Sequence, residues 1–526
     1  MGTRLDEETN IHGVTTGVLT NIFYVQNYGS QELFKAYSEL SALRKHNKEL
    51  QKLLTDGKYY QVPKPEYEKL RRRIASNIQE FWYYMHDQLN RLKSKTTEKN
   101  ANLTLSVDKI ISTAVQYKRS DLSLSNDVEK VNQVDGFNKW RIDEIGNLSR
   151  LVQKRFHYLQ HPVDCKNAKK LVCNLYYGCG FGCQIHHLIS CMMVAYGTQR
   201  TLILKSNRWQ YHKGGWKAVF MPFGNSCGVN DKKIVKWPGT NTSSIIEIPT
   251  NTYIKPRPKF MPLAVPEDLA YRLIAVHGNP SAWWIGQILK LFWKPQNSTL
   301  SYIEKKMSEL KIENPYVAIH IRRTDKLRRE AKFYSVQQYM AKVDEYYNQI
   351  DINNNMTKRK VYIATDDFNA IKEAITKYPH YDIIYNPDIP KVPKINPLHT
   401  NENIFNVILD IHVLSKSDFI VCTFSSNICR LAYGLMQIDH VDASSKVASL
   451  DKMYVYSQQN ADVRKAILRH QAQTAKEIDL LSGDTIHISD NHWNGYSTGS
   501  NLRTKKRGLF PSFKVEMEPE IVKFPI

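Results

Sequence analysis

The chain runs to 526 residues, with 42% hydrophobic and 11% aromatic residues, a composition that excludes disorder and leaves room for roughly two to four domains. A net charge of +22 calls for anionic partners, yet the densest basic runs, Leu70–Arg73 and Lys505–Arg507, are short. No zinc-finger, homeodomain, RNA-recognition or basic-zipper pattern accompanies them, so no nucleic-acid partner is expected. No run approaches the roughly 18 apolar residues of a membrane span, so no anchor is expected within these residues. The first six, Met1–Asp6, lack the basic start and apolar core of a secretion signal.

In chain order, residues 1–30 carry no periodicity and are expected to be flexible. Leu33, Tyr37, Leu40, Leu43, Leu50 and Leu53 predict a helix over 31–54, interrupted by Gly57, Pro63 and Pro65. Tyr67, Leu70, Ile74, Ile78, Phe81, Met85, Leu89 and Leu92, in steps of three and four, predict one face of a long helix. That face packs on the protein's own core or dimerises; together these segments form a helical region over 31–130. A third helix is expected over Trp140–Gln160. Then come a strand at Ala168–Leu175 and the run Gly178-Cys-Gly-Phe-Gly-Cys183. Its alternating glycines do not fit a dinucleotide-binding loop, and it reads as a tight turn pinned by a disulfide. A helix over Ile185–Tyr196 and a strand at Arg200–Lys205 follow. Lys255–Pro262 reads as polyproline-like chain ahead of a helix starting near Pro266. From Tyr316 on, strands at Tyr316–Ile321, Lys360–Thr365, Asp382–Tyr385 and Asp418–Cys422 alternate with helices at Ser335–Ile350, Phe368–Lys377 and Asn401–Ser415. That is the pattern of a parallel, Rossmann-like α/β domain. Gly483–Ile486, Trp493–Gly495 and Arg507–Val515, with Gly508-Leu-Phe-Pro511, resemble an SH3 barrel over 459–520.

Six of the eight cysteines fall within about sixty residues, an even, tightly spaced set that suggests disulfides. Zinc held by Cys179 and Cys183 with His186 and His187 is the competing reading. Five sequons, at Asn102, Asn147, Asn241, Asn297 and Asn355, fit a secretory lumen better than the cytosol.

The most specific feature is His320-Ile-Arg-Arg-Thr-Asp-Lys326, entered from the apolar run Val317–Ile321. Ligands of open α/β sheets bind beyond the carboxyl ends of strands, and guanidinium forks match diphosphate oxygens. The string resembles the donor-binding motif of fucosyltransferases that use GDP-fucose, and most of all the α1,6 (core N-glycan) family. The resemblance extends from about Arg72 onward, through Ser76–Tyr83, Ala195–Leu204, Leu263–Leu269, Ala364–Asp367 and Val421–Ser426.

What the resemblance implies is an α/β, GT-B-like catalytic region over 165–450, with its Rossmann-like donor part at about 315–450, behind a helical stem and ahead of a C-terminal all-β SH3 domain. It implies disulfides Cys165–Cys227, Cys173–Cys191, Cys179–Cys183 and Cys422–Cys429. The reaction would move fucose from GDP-fucose to the 6-hydroxyl of the innermost GlcNAc of an N-glycan, with inversion. No cofactor or metal is implied. Arg322, Arg323 and Lys326 would meet the diphosphate, and Glu330 would be the general base. His320, Asp325, Tyr339, Asp410, Ser425 and Ser426 match donor-pocket positions, and Asp366, Asp367 and His492 acceptor positions. The setting would be the Golgi lumen, and the partners a glycoprotein acceptor and a second copy of the chain, joined through the N-terminal helices and the SH3 domain. Tyr177 and Thr252 depart from the family's usual lysine and aspartate. They keep open a fucosyltransferase with an altered acceptor, beside a third reading as an inactive glycan-binding scaffold.

Overall fold

The computed structural model describes residues 45, 62–97, 127–128, 130–175, 179–207, 209–224, 227–229, 231–250, 254–261, 263–323, 332–350, 358–388, 401–454 and 462–525. The flexible segment expected at 1–30 falls outside them, as does the helix expected at 31–54 apart from residue 45. The chain divides into two compact units, Met1–Asn77 and Ile78–Ile526. Helix α1, Pro65–Thr97, begins in the first. Proline at its first position and Glu66 and Glu68 in its first turn favour the start. Glu68 is fixed by Arg71 one turn on, at 3.0 Å.

The second unit contains α2 (Asn138–Gln160), β1 (Lys170–Asn174), α3 (Phe181–Gly197), β2 (Thr201–Lys205), β3 (Ile234–Lys236) and β4 (Ile245–Glu247). These strands form a parallel sheet in the order β2-β1-β4-β3. Helix α3 starts at Phe181, a turn before the expected Ile185, because Gly180 supplies an extended N-cap. Strand β5 (Ala264–Pro266) and helices α4 (Glu267–Val276), α5 (Pro280–Phe292) and α6 (Asn297–Leu310) come next.

Then β6 (Val317–Ile321), α7 (Val336–Ile350), β7 (Arg359–Thr365), α8 (Phe368–Lys377), β8 (Tyr381–Ile384), α9 (Asn401–Lys416), β9 (Phe419–Cys422), α10 (Asn427–Asp439) and β10 (Val447–Ser449) build a second parallel sheet, in the order β10-β9-β6-β7-β8. All five residues of β6 are buried, as a parallel strand covered on both faces requires. Ala318, Tyr362 and Ala364 face α9, in a core continuous with the first sheet. Val317, Ile319 and Ile321 face α7 and α8 in a separate core.

The two sheets are locked where α5 crosses α10. A Cβ on Gly286 would lie 2.7 Å from the Gly434 carbonyl oxygen, and one on Gly434 would lie 2.8 Å from Leu289 Cδ1. At Gly286 only hydrogen fits, because the obstacle is backbone; at Gly434 the Leu289 side chain would have to shift.

Strands β11 (Asp462–Ala466), β12 (Thr485–Asn491), β13 (Tyr496–Asn501), β14 (Arg507–Pro511) and β15 (Val515–Met517) make an antiparallel sheet in the order β14-β13-β12-β11-β15. Strand β16 (Glu520–Val522) leaves it to pair in parallel with β5. Phe81, Tyr84 and Met85 of α1 pack against Tyr496 and Phe513, so this part of the apolar stripe is used within the chain. Among the described residues no helix is long and apolar enough to cross a membrane.

Replacing Gly286 with alanine forces the α5–α10 crossing apart and is expected to cost about 1–3 kcal/mol of stability, read by urea denaturation. A midpoint equal to that of the wild type would show that the crossing does not set the packing.

Candidate functional site

In the second sheet the chain order reverses between β6 and β9, and the crevice beyond the carboxyl ends of such a pair is where open α/β sheets bind ligands. His320 is the last residue but one of β6, and Thr423–Ser426 follows β9. Strand alternation, continued past Ile321, assigns the two arginines to opposite faces. Arg322 shares the α9 side with His320. Its Nη1 donates to Asp366 Oδ2 at 2.6 Å, and its side chain keeps 31% exposure. Arg323, only 10% exposed, lies on the α7 side. Its guanidinium donates to Asp367 Oδ2 at 3.0 Å and to the Tyr334 carbonyl at 3.0 Å, and stacks on Phe333 at 4.5 Å. Its backbone N–H donates to Asp366 Oδ1 at 2.8 Å. Asp367 also caps α8 through the Asn369 N–H. One carboxylate therefore aims Arg322, and its neighbour anchors Arg323.

The α9 side buries two titratable side chains, His320 and Asp410. His320 is buried, and its Nδ1 finds no partner among the described residues. Burial and then the Arg322 charge push its pKa down to about 4, so the ring is neutral. Asp410 on α9 accepts from the Tyr362 hydroxyl at 2.6 Å, and burial pushes its pKa up to about 7. It lies on the same face of the sheet as His320. Burial raises the pKa of Tyr211, in the segment after β2, and the Arg322 charge opposes that shift. The first turns of α3 and α10 meet: a Cβ on Gly182 would lie 2.8 Å from Asn427 Cβ. Two helix N-termini thus converge near one arginine, which suits an anion. Ser426 precedes α10 without a side-chain capping bond, and the Ser425 N–H donates to the Asp451 carboxylate at 3.3 Å.

The other expected residues are placed as follows. Tyr339 is buried on the α7 side, where burial and the nearby Asp451 raise its pKa. Asp366 and Asp367, expected at the acceptor, are each bonded to an arginine. His492 sits in the turn between β12 and β13, exposed, with Nε2 2.7 Å from Thr498 Oγ1. Asp325, Lys326, Glu330, Tyr177 and Thr252 fall outside the described residues.

All eight cysteines are bridged: Cys165–Cys227, Cys173–Cys191, Cys179–Cys183 and Cys422–Cys429. Cys173, Cys191 and His187 do cluster, but both sulfurs are spent on one disulfide and offer no thiolate to zinc. His186, the other histidine of that reading, lies with Nδ1 2.6 Å from the Gly182 carbonyl, and burial pushes its pKa down to about 3. Sequence reasoning missed Tyr211, Phe333, Tyr334 and Asp451. Only the aromatic pair Phe333-Tyr334, directly after a charged run, carried any local signal.

Loss of one charge-assisted contact, about 1.5–3 kcal/mol, gives the expectation for Arg322→Ala: GDP binding about 10- to 100-fold weaker by calorimetry. Wild-type affinity in that variant would remove Arg322 from the site. Asp410 has a folded-state pKa above its ordinary value. The proton it holds therefore stabilises the fold at low pH, and that contribution is lost as pH rises toward about 7. Asp410→Asn should lose less stability than the wild type between about pH 5 and 7, and parallel urea curves would contradict this.

Residues 19–456 match the family described as alpha-(1,6)-fucosyltransferase N- and catalytic domains. The chain is 44% identical over 467 residues to an alpha-(1,6)-fucosyltransferase of Drosophila melanogaster, covering 88% of this chain and 75% of that protein. It is 34% identical over 454 residues to an alpha-(1,6)-fucosyltransferase of Caenorhabditis elegans, covering 85% and 78%. Among solved structures, the fucosyltransferase NodZ from Bradyrhizobium aligns at 14% identity and a TM-score of 0.33, over 50% of this chain and 92% of that one. The extent and identity of the first three matches place the chain in the alpha-(1,6)-fucosyltransferase family.

Proposed function

We propose that this enzyme transfers fucose from GDP-fucose to the 6-hydroxyl of the innermost GlcNAc of N-glycans, with inversion and without a metal. The observation that carries the reading is Arg322, aimed by Asp366 into the crevice between β6 and β9 beside a neutral His320 and an aspartate held on the same face. The acceptor oxygen attacks the anomeric carbon as the bond to the GDP β-phosphate oxygen breaks. Charge builds on the diphosphate, where Arg322 and the α10 N-terminus oppose it. The acceptor proton passes to a base, for which the sequence offers Glu330. The carboxylates that would otherwise suit a divalent cation, Asp366 and Asp367, are already bonded to guanidinium groups, which favours metal-independent leaving-group stabilisation.

The two parallel sheets are read as a GT-B-like pair, the five-stranded antiparallel sheet as the SH3 barrel, and the helix from Pro65 as part of a stem. A Golgi-lumen setting fits four disulfides, and it fits sequon asparagines Asn147, Asn241 and Asn297 that are all exposed. A homodimer through the helices and the barrel is the accompanying reading; light scattering at the mass of one chain would remove it. It must use surfaces other than the Phe81–Met85 face, which is already covered.

The decisive assay incubates the protein with GDP-fucose and a GlcNAc-terminated biantennary glycopeptide in EDTA. Fragment mass spectra should place fucose on the innermost GlcNAc, with turnover lost in Arg322→Ala. Fucose on another sugar, or activity restored only by a divalent cation, would overturn the acceptor or the metal-free part of the reading.

A further inference from the structure

Beyond Ile78, helix α1 touches two parts of the protein, α7 and the turn between β12 and β13. On one side the Tyr83 hydroxyl donates to Glu345 Oε2 at 2.9 Å and accepts from Lys342 Nζ at 2.8 Å, while that ammonium also lies 4.1 Å over the Tyr83 ring. Both partners belong to α7. On the other side Glu80, Asp87 and Gln88 bond to Asn491, Asn494 and Tyr496, at 3.2, 3.3 and 2.8 Å. Gly495, at φ +84°, lies directly on the helix backbone, since a Cβ there would be 2.2 Å from the Tyr84 nitrogen. No larger residue fits.

The Asn491–Gly495 turn leads back to the crevice. Asn491 Oδ1 accepts from the Trp493 N–H at 2.9 Å, holding that residue at φ +55°. The Trp493 indole N–H donates to the Asp451 carbonyl at 3.2 Å, and the Asp451 carboxylate accepts from Ser425 N–H beyond β9. The orientation of one amide, Asn491, therefore decides whether the turn is latched. A flipped amide would present its NH₂ to the Trp493 N–H. Glu80 is what prevents the flip, because a carboxylate oxygen accepts only from the nitrogen end. Packing alone would not select a glutamate here. Its Oε2 is buried without a partner among the described residues, a cost that Arg464 of β11 and Lys342 of α7 offset only in part.

We propose that α1 is a brace for the crevice and that Glu80 is a positioning residue, fixing Asn491 and thereby the His492–Trp493 turn as the acceptor-side wall. The kinetic consequence rests on the transferase reading; the structural one does not. Glu80→Leu keeps the bulk and removes the acceptor, whereas Glu80→Gln keeps an oxygen for Asn491. Hydrogen exchange at the Trp493 amide should quicken about tenfold or more in Glu80→Leu, the scale of one charge-assisted bond, and stay near wild type in Glu80→Gln. With GDP-fucose and the glycopeptide, the acceptor KM should rise several-fold in Glu80→Leu alone, with the GDP-fucose KM unchanged. Unaltered exchange in Glu80→Leu would overturn the brace. So would equal losses in both KM values and kcat alongside a lowered melting temperature, since that pattern marks general support of the fold. If wild type transfers no fucose, the transferase reading fails on its own, and the exchange measurement still decides the brace.

Discussion

The structure of the crevice depends on a pair of adjacent carboxylates at the end of β7 gripping a pair of adjacent arginines at the end of β6. Consecutive residues leaving a strand point to opposite sides, so Arg322 and Arg323 cannot serve one ligand equally. Asp366 bonds the Arg322 side chain and the Arg323 backbone, and Asp367 holds the Arg323 guanidinium while capping α8. The cost of bringing two cations together is offset locally by two anions. One cation stays exposed enough to meet a diphosphate; the other becomes part of the wall beneath Phe333 and Tyr334.

The rest of the architecture supplies what that arginine needs. The glycine crossing of α5 and α10 brings two helices that flank the parallel sheets into close contact. The first turns of α3 and α10 meet through Gly182 and Asn427, so two positive helix ends converge on the crevice. The Cys422–Cys429 bridge ties the end of β9 to the first turn of α10 and closes the loop carrying Ser425 and Ser426. Neutral His320 adds hydrogen-bonding capacity without competing for the anion.

Much of this was legible in the chain. Tyr316–Ile321 read as a strand, one residue longer than the observed Val317–Ile321, and Phe368–Lys377 as a helix with the bounds the structure has. The signals there are local: a β-branched run broken by charge, and a clear apolar stripe. Helix α5 gave no such signal because it is buried nearly all round, with only Lys290 escaping, and a helix without a polar face has no stripe. Helix α6 buries only Thr299 and Ile303, too narrow a face to stand out. Strands β3, β4, β5 and β16 have three residues each, shorter than any test of alternation. In the crevice, the arginines and His320 were readable from one string. The different fates of Arg322 and Arg323 were not, because they depend on partners more than forty residues away. The same is true of Glu80, whose partner Asn491 is 411 residues distant.

The central claim is that the nucleotide diphosphate lies on the Arg322 side of the sheet. A crystal structure with GDP tests it most directly. The account predicts diphosphate oxygens within hydrogen-bonding reach of the Arg322 guanidinium, the nucleoside between His320 and Asp410, and Arg323 still bonded to Asp367. A diphosphate bound by Arg323 on the α7 side, or GDP seated away from the β6–β9 crevice, would contradict it.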